Sequence, residues 1–373
     1  MNKVDFYRTG ESFGQIKAEL YQQLSEALSR ETIVNGEAVA KFEQAMQEYT
    51  GASHCIAVGN GTDALIMLLT AAGIGKGDEV IIPSYSFFAS LSCVLHVGAT
   101  PVFVDIEQDS YAIDAAKIEE KITSKTKAIM PVHLFTQLAD MQAITAIAKR
   151  HSLEVFEDSA EGFGMFADGR HAGLFGKGGV LSFFPTKTLG ALGDAGMIVT
   201  NDADLAGQCR LLRNLGRDEE GIAQILGVNS RMDDLHACFM LARMGRMEEE
   251  IAARKWVAGQ YHERLAALFP RVKLPVIVER PGGNHPVYYV YQIAAENRDA
   301  LAAYLTEKGI VTETYYPMPL HQQPCIADLD YRAGDMPVAE MMSESAIALP
   351  LYPDMSAGQI SYVCNAIKDF YNQ

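Results

Sequence analysis

Lys187 lies in the run Leu181-Ser182-Phe183-Phe184-Pro185-Thr186-Lys187-Thr188-Leu189-Gly190, followed by Gly193-Asp194-Ala195-Gly196. A lysine just past an apolar strand, in a short loop walled by Phe183, Phe184 and Leu189, is partly withdrawn from water. Desolvation disfavours the ammonium, so such an amine serves as a nucleophile that forms a Schiff base with a carbonyl. Nearby glycines let the backbone approach closely. A lone surface lysine would have no use for this aromatic and glycine setting.

Two further segments could complete a site. Phe156-Glu157-Asp158-Ser159-Ala160-Glu161 ends an apolar strand with carboxylates, where open α/β sheets bind ligands. Asp158 there could hold a cationic ring nitrogen and keep it protonated, or it could simply cap a loop. Gly59-Asn60-Gly61-Thr62-Asp63 follows another strand and opens a helix over residues 64–72. Its first-turn N–H groups form an anion site, to which Thr62 adds a hydroxyl. A plain helix start capped by Thr62 or Asp63 reads as well from this segment alone. No dinucleotide GxGxxG fingerprint follows a strand: the nearest, Gly73-Ile74-Gly75-Lys76-Gly77, follows a helix. A Walker loop, CxxC pairs, HxH and HExxH are absent, so no metal site is expected.

These segments need rigid elements to hold them. Short runs rich in Val, Ile and Phe recur at 55–58, 80–83, 101–105, 128–132, 153–157, 180–184 and 197–200. Helix-like stretches separate several of them. Residues 139–150 place Met141, Ile144, Ile147 and Ala148 on one face. Alternating strands and helices predict an α/β layer with a largely parallel sheet. One long helix is expected over residues 232–256. Prolines 270, 275 and 281 then punctuate the chain before a tyrosine-rich strand, 287–294, and a helix, 299–308. This α+β texture suggests a large domain over residues 1–247 and a smaller one over 248–373.

Composition fits a globular protein of this size: 373 residues, 49% apolar and 21% charged. The net charge of −16 counts against nucleic acid and anionic membrane surfaces as partners. Six cysteines scattered without pairs read as free thiols. The N-terminus shows no signal-peptide core, and the stretch 80–99 is broken by Pro83 and His96, so a cytoplasmic protein is expected. Residues 170–231 hold seven basic and six acidic side chains, so the acidic excess lies elsewhere in the chain.

In this order the segments resemble the DegT/DnrJ/EryC1/StrS family of sugar aminotransferases, pyridoxal 5′-phosphate (PLP) enzymes of fold type I. The resemblance runs from Val34-Asn35-Gly36 and Phe42-Glu43 through the three segments to Asn229-Ser230-Arg231-Met232. It continues through Tyr316-Pro317-Met318-Pro319-Leu320-His321 to Leu349-Pro350-Leu351-Tyr352-Pro353. It implies that Lys187 bonds PLP covalently and that Asp158 pairs with the pyridinium nitrogen. Phe87 would stack on the ring, although a core aromatic reads equally from sequence. Gly61, Thr62 and Ser182 would hold the phosphate. Asn229 would reach a neighbouring subunit's phosphate, which implies a homodimer with shared sites. Tyr315, Tyr316, His321 and Arg231 would lie toward the substrate.

Two positions depart from the family pattern. Glu161 stands near the cofactor's phenolic oxygen, where Gln or His is usual, and Tyr315-Tyr316-Pro317 replaces His-Tyr-Pro. The implied reaction moves an amino group from L-glutamate to a keto-sugar, by a ping-pong sequence in which Lys187 carries a proton. A nucleotide-linked keto-deoxysugar for lipopolysaccharide, other surface polysaccharide or secondary-metabolite synthesis is the leading acceptor. A free keto-sugar acid, such as a keto-octulosonate, or a cyclitol ketone is the alternative. A non-catalytic PLP-fold sensor would be expected to lack the lysine or the carboxylate, and both are present. A nicotinamide dehydrogenase is disfavoured by the missing glycine fingerprint.

Overall fold

The apolar runs assemble into one seven-stranded sheet in a computed structural model that describes residues 3–8, 10–29 and 33–372. Its strands are β1 (His54–Val58), β2 (Glu79–Pro83), β3 (Thr100–Val104), β4 (Thr126–Ile129), β5 (Glu154–Asp158), β8 (Gly178–Ser182) and β9 (Gly196–Thr200). A separate ribbon pairs β6 (Phe166–Ala167) with β7 (Arg170–His171). The sheet order is β1-β9-β8-β5-β4-β2-β3. From β8 to β3 every pair is parallel, and β9 runs antiparallel to both of its neighbours. The C-terminal ends of β1, β2, β4, β5 and β8 therefore share one edge.

Helices cover both faces, which is why the strands read as nearly continuous apolar runs. They are α1 (Gly10–Leu28), α2 (Glu37–Thr50), α3 (Gly61–Ala71), α4 (Ala89–His96), α5 (Met141–His151), α6 (Ala203–Arg213) and α7 (Asp234–Met244). One face buries Leu65, Leu68 and Val94 with Phe103 and Phe156; the other buries Phe42, Phe183, Met197 and Phe239. The expected apolar face of α5 is the buried one, Met141, Ile144, Ile147 and Ala148. Its start moves to residue 141 because Asp140 accepts the Ala143 N–H at 3.0 Å as an N-cap.

The C-terminal part contains α8 (Met247–Leu265), β10 (Val272–Lys273), β11 (Tyr291–Ala295), α9 (Arg298–Glu307), α10 (Pro337–Ser345), β12 (Ala346–Leu349) and α11 (Ala357–Tyr371). Strands β10, β11 and β12 form an antiparallel sheet. Its core joins Val257, Tyr261, Ile293, Leu305 and Val363 to Val4 from the other end of the chain. Met247 of α8 packs in the large core and Val257 in the small one, so this helix bridges the two.

Two expectations are corrected. The single helix over 232–256 is two helices, α7 and α8, separated by Gly245 and a non-helical Arg246. Glycine weakens a helix interior. The Glu248-Glu249-Glu250 run then suits the positive end of a new helix dipole. The strand expected at 287–294 is confined to Tyr291–Ala295. Residues before it pair with the segment between β4 and α5 instead, with the Val287 N–H donating to the Thr136 carbonyl and the Tyr289 N–H to the Phe135 carbonyl, both at 3.0 Å.

Candidate active site

A cavity of about 640 Å³ opens at the shared strand edge and between the two cores. Gly61, Thr62, Phe87, Asp158, Glu161, Ser182, Lys187, Tyr315 and Tyr316 all line it, from segments far apart in sequence.

One corner is built for an anion. At the start of α3 the cap is Asn60, whose side-chain oxygen accepts the Asp63 N–H at 2.8 Å. The cap is therefore neither Thr62 nor Asp63. The Gly61 and Thr62 amides find no acceptor among the described residues and face the cavity at a helix N-terminus. A Cβ on Gly61 would lie 3.2 Å from the Ser182 Cβ, so glycine is what brings the Ser182 hydroxyl beside these amides. At Gly196 a Cβ would meet the Asn60 carbonyl carbon at 2.5 Å, which excludes any side chain there.

Asp158 ends β5 on the cavity wall and is 3% exposed. Its carboxylate accepts the Ser90 hydroxyl at 2.6 Å and the Ala160 N–H at 3.2 Å. Ser86, which also lines the cavity, bonds Ser90 at 2.8 Å. Asp158 is thus held as an acceptor facing the cavity, a function beyond capping its own loop.

Lys187 follows β8 in a turn closed by Gly190, where a Cβ would collide with the Pro185 oxygen at 2.3 Å. The Tyr7 hydroxyl donates to the Pro185 carbonyl from below. Arg243 donates to the Gly190 carbonyl at 2.8 Å and the Thr188 carbonyl at 3.3 Å, and its charge meets Glu250 at 2.5 Å. The Lys187 side chain is 15% exposed; its ammonium donates to Glu161 at 3.1 Å and lies 4.3 Å from the Tyr289 ring centroid. Phe183 and Leu189 wall this loop as expected, but Phe184 is 49% exposed and faces the cavity mouth.

Glu161 also accepts the Phe135 N–H at 2.7 Å. Phe135 has φ +61°, a left-handed conformation unfavourable for a bulky residue, and it aims this N–H at the carboxylate. The Phe135 ring packs among Tyr85, Tyr111, Tyr315 and Tyr316. Burial raises the phenol pKa of Tyr289, Tyr315 and Tyr316, and the Glu161 charge adds to the effect. These hydroxyls therefore remain neutral near pH 7. Phe87 is 59% exposed at the cavity, 6.1 Å from the Tyr316 ring, and so is no core aromatic.

Three expected residues lie outside this cavity. Asn229 is exposed, with its backbone bridged to Asn214. Arg231 donates to the Asn214 side chain at 3.2 Å. His321 is 2% exposed and bonded to Glu340 at 3.0 Å, packed edge-on against Phe103 and Tyr331. The substrate-facing placement of His321 is corrected: Leu320 donates its N–H to the Ser84 carbonyl and folds the following turn beneath the site. Sequence reasoning missed Tyr289, Ser90, Asn60 and Glu313. Tyr289 carried a signal in the clustering of tyrosines after Pro286, and Asn60 carried one as a preferred N-cap residue directly before the helix.

The model of the DegT/DnrJ/EryC1/StrS aminotransferase family matches residues 14–368. The chain belongs to this family. It is 42% identical to a pleiotropic regulatory protein of Geobacillus stearothermophilus, over 97% of this chain and 96% of that protein. It is 39% identical to a UDP-N-acetyl-3-dehydro-alpha-D-glucosamine 3-aminotransferase of Acidithiobacillus ferrooxidans, over 95% of each. The fold superposes on DesV of Streptomyces venezuelae, solved with a ketimine intermediate, with a TM-score of 0.95, 34% identity and full coverage of both chains. This aminotransferase is a PLP enzyme, and its cavity fits that cofactor. Unspent amides at the Gly61–Thr62 corner match a phosphate. The buried Asp158 acceptor matches a pyridinium N–H, and the exposed Phe87 ring offers a flat face. No helix among the described residues is long and apolar enough to cross a membrane.

Proposed function

We propose that this aminotransferase transfers the amino group of L-glutamate to a nucleotide-linked keto-sugar, and that it works as a homodimer with shared sites. The observation that carries the catalytic assignment is the convergence of Lys187, Asp158 and the α3 amides on one cavity. Bound PLP would supply an electron sink for the carbanion at the amino-bearing carbon. Asp158, steadied by Ser90, would pair with the ring nitrogen. Gly61, Thr62 and Ser182 would bind the phosphate oxygens, and Phe87 would lie against the ring. Lys187 Nζ would bond the cofactor at rest and, once displaced, hold and move the proton. The neutral phenols of Tyr289, Tyr315 and Tyr316 would exclude water and orient the sugar hydroxyls. Asn229, exposed and outside its own cavity, suits a contact to a second copy's phosphate.

Preservation of the lysine and the buried carboxylate supports catalysis over a sensor role. A nucleotide-linked acceptor is supported by the Acidithiobacillus relative, named for a UDP-linked ketone. The test is 2-oxoglutarate release from glutamate by the PLP-loaded protein with a panel of keto-sugars, alongside Lys187→Ala and Asn229→Ala. Lys187→Ala abolishes turnover; retained activity refutes its role. Asn229→Ala weakens PLP retention, and a fully active monomer refutes the shared site.

A further inference from the structure

The charges around the cavity are lopsided. Its ionisable acids are Asp158, Glu161, Asp194 and Glu313, and its only cationic side chain among the described residues is Lys187. Asp158 is engaged by Ser90, and Glu161 by Lys187 and the Phe135 amide. Asp194 and Glu313 are both exposed, with no hydrogen-bond or ion-pair partner for either carboxylate among the described residues; of the two, Glu313 lies beside Tyr315 on the wall that faces the substrate.

The Glu313 backbone is nevertheless held. The Glu313 carbonyl accepts the Ala348 N–H at 2.8 Å, and its own N–H reaches the Ala348 carbonyl at 3.3 Å, tying the segment to β12. Side chains alternate along extended backbone, so Glu313 and Tyr315 both line the cavity. The Tyr315 phenol pKa is raised by burial first, then by Tyr289, Glu161 and Glu313, which marks this wall as one of negative potential.

We propose that Glu313 is a specificity-determining residue: it selects a keto-sugar whose ring carries no carboxylate and disfavours the corresponding uronate. This rests on the sugar-aminotransferase reading above. A ring carboxylate entering past Glu313 meets a like charge, and the one cation lining the cavity among the described residues, Lys187, is already paired with Glu161, so discrimination comes from repulsion. At a mouth open to solvent, one such encounter is worth about tenfold in selectivity. Glutamate meets the same wall with its own carboxylates, so removing the charge also lowers its KM.

A matched pair of acceptors isolates the effect: UDP-linked 3-oxo-N-acetylglucosamine, and the same molecule with a carboxylate in place of the C6 hydroxymethyl. With the PLP-loaded full-length enzyme, the neutral sugar has a kcat/KM about tenfold above that of the uronate. Glu313→Gln, which keeps the side-chain shape, narrows that ratio through the uronate KM, and Glu313→Lys narrows it further and lowers the glutamate KM. A wild-type ratio near one, a preference for the uronate, or a ratio unmoved in both variants overturns the proposal. If neither sugar is turned over, the two are compared as competitive inhibitors of the glutamate half-reaction, with the same ordering expected; equal binding, or none by either, also overturns it. Failure of the underlying reading looks different: the loaded protein then releases no 2-oxoglutarate from glutamate even with no sugar present.

Discussion

Replacing Glu250 by glutamine tests how the turn bearing Lys187 is held from behind. Arg243 and Glu250 are 7% and 6% exposed in their side chains, with 2.5 Å between charged atoms. A glutamine can still accept from Arg243, so the substitution removes charge and little shape. Taking the charge centres as about 4 Å apart, an effective dielectric near 20 gives a loss of about 4 kcal/mol. That agrees with the roughly 3–5 kcal/mol seen when one partner of a buried pair is removed. Arg254, 2% exposed and lowered in pKa by burial, is also supported by Glu250 and would feel its loss. A double-mutant cycle with Arg243→Met, followed by urea denaturation, separates the pair from its surroundings. We expect a coupling energy of about 3–4 kcal/mol and weaker PLP binding in Glu250→Gln, because the Thr188 and Gly190 carbonyls depend on Arg243. A coupling below about 1 kcal/mol, the range of exposed pairs, would refute the argument.

Two other outcomes follow from buried polar contacts. Ser90→Ala removes the 2.6 Å hydroxyl donor to Asp158. It should lower kcat about tenfold with little change in the glutamate KM, since a bond to a charged group is worth about 1.5–3 kcal/mol; an unchanged kcat would remove Ser90 from the site's support. His171 is fully buried, and burial lowers its pKa from 6.5 to about 4. The unfolded chain therefore binds the extra proton first, and stability present above pH 6.5 falls as pH drops toward 4, by roughly 3 kcal/mol in total. Denaturant midpoints for wild type and His171→Gln across that window check it: the variant should show a shallower slope, and identical slopes would discount His171.

Much of the site was legible because it is local. Asp158 ends an apolar strand, Lys187 follows one in a short turn, and the Gly61–Thr62 corner joins a strand to a helix, so their short motifs nearly specify their backbone setting. The strands were readable because burial on both faces leaves continuous apolar runs. Where a boundary depended on a cap or on a competing contact, sequence reasoning slipped. Asp140 shortened α5, and the Phe135 and Thr136 carbonyls drew residues 287–290 away from the small sheet. Glu161 stood out in sequence, but nothing local revealed that its partners are an amide in a left-handed turn and the lysine 26 residues on.

The sequence by itself determined the α/β class, the family and the chemical groups of the site, since these reside in residue types, short spacings and the period of the apolar pattern. Only the tertiary structure decided which groups meet. It placed Ser90 behind Asp158, Tyr289 under Lys187 and Glu313 at the mouth, and it withdrew His321 into a contact with Glu340. Each of these depends on where a crossing segment or the small sheet packs against the large one. Such packing is set by the complementarity of whole surfaces, which no local stretch of chain encodes.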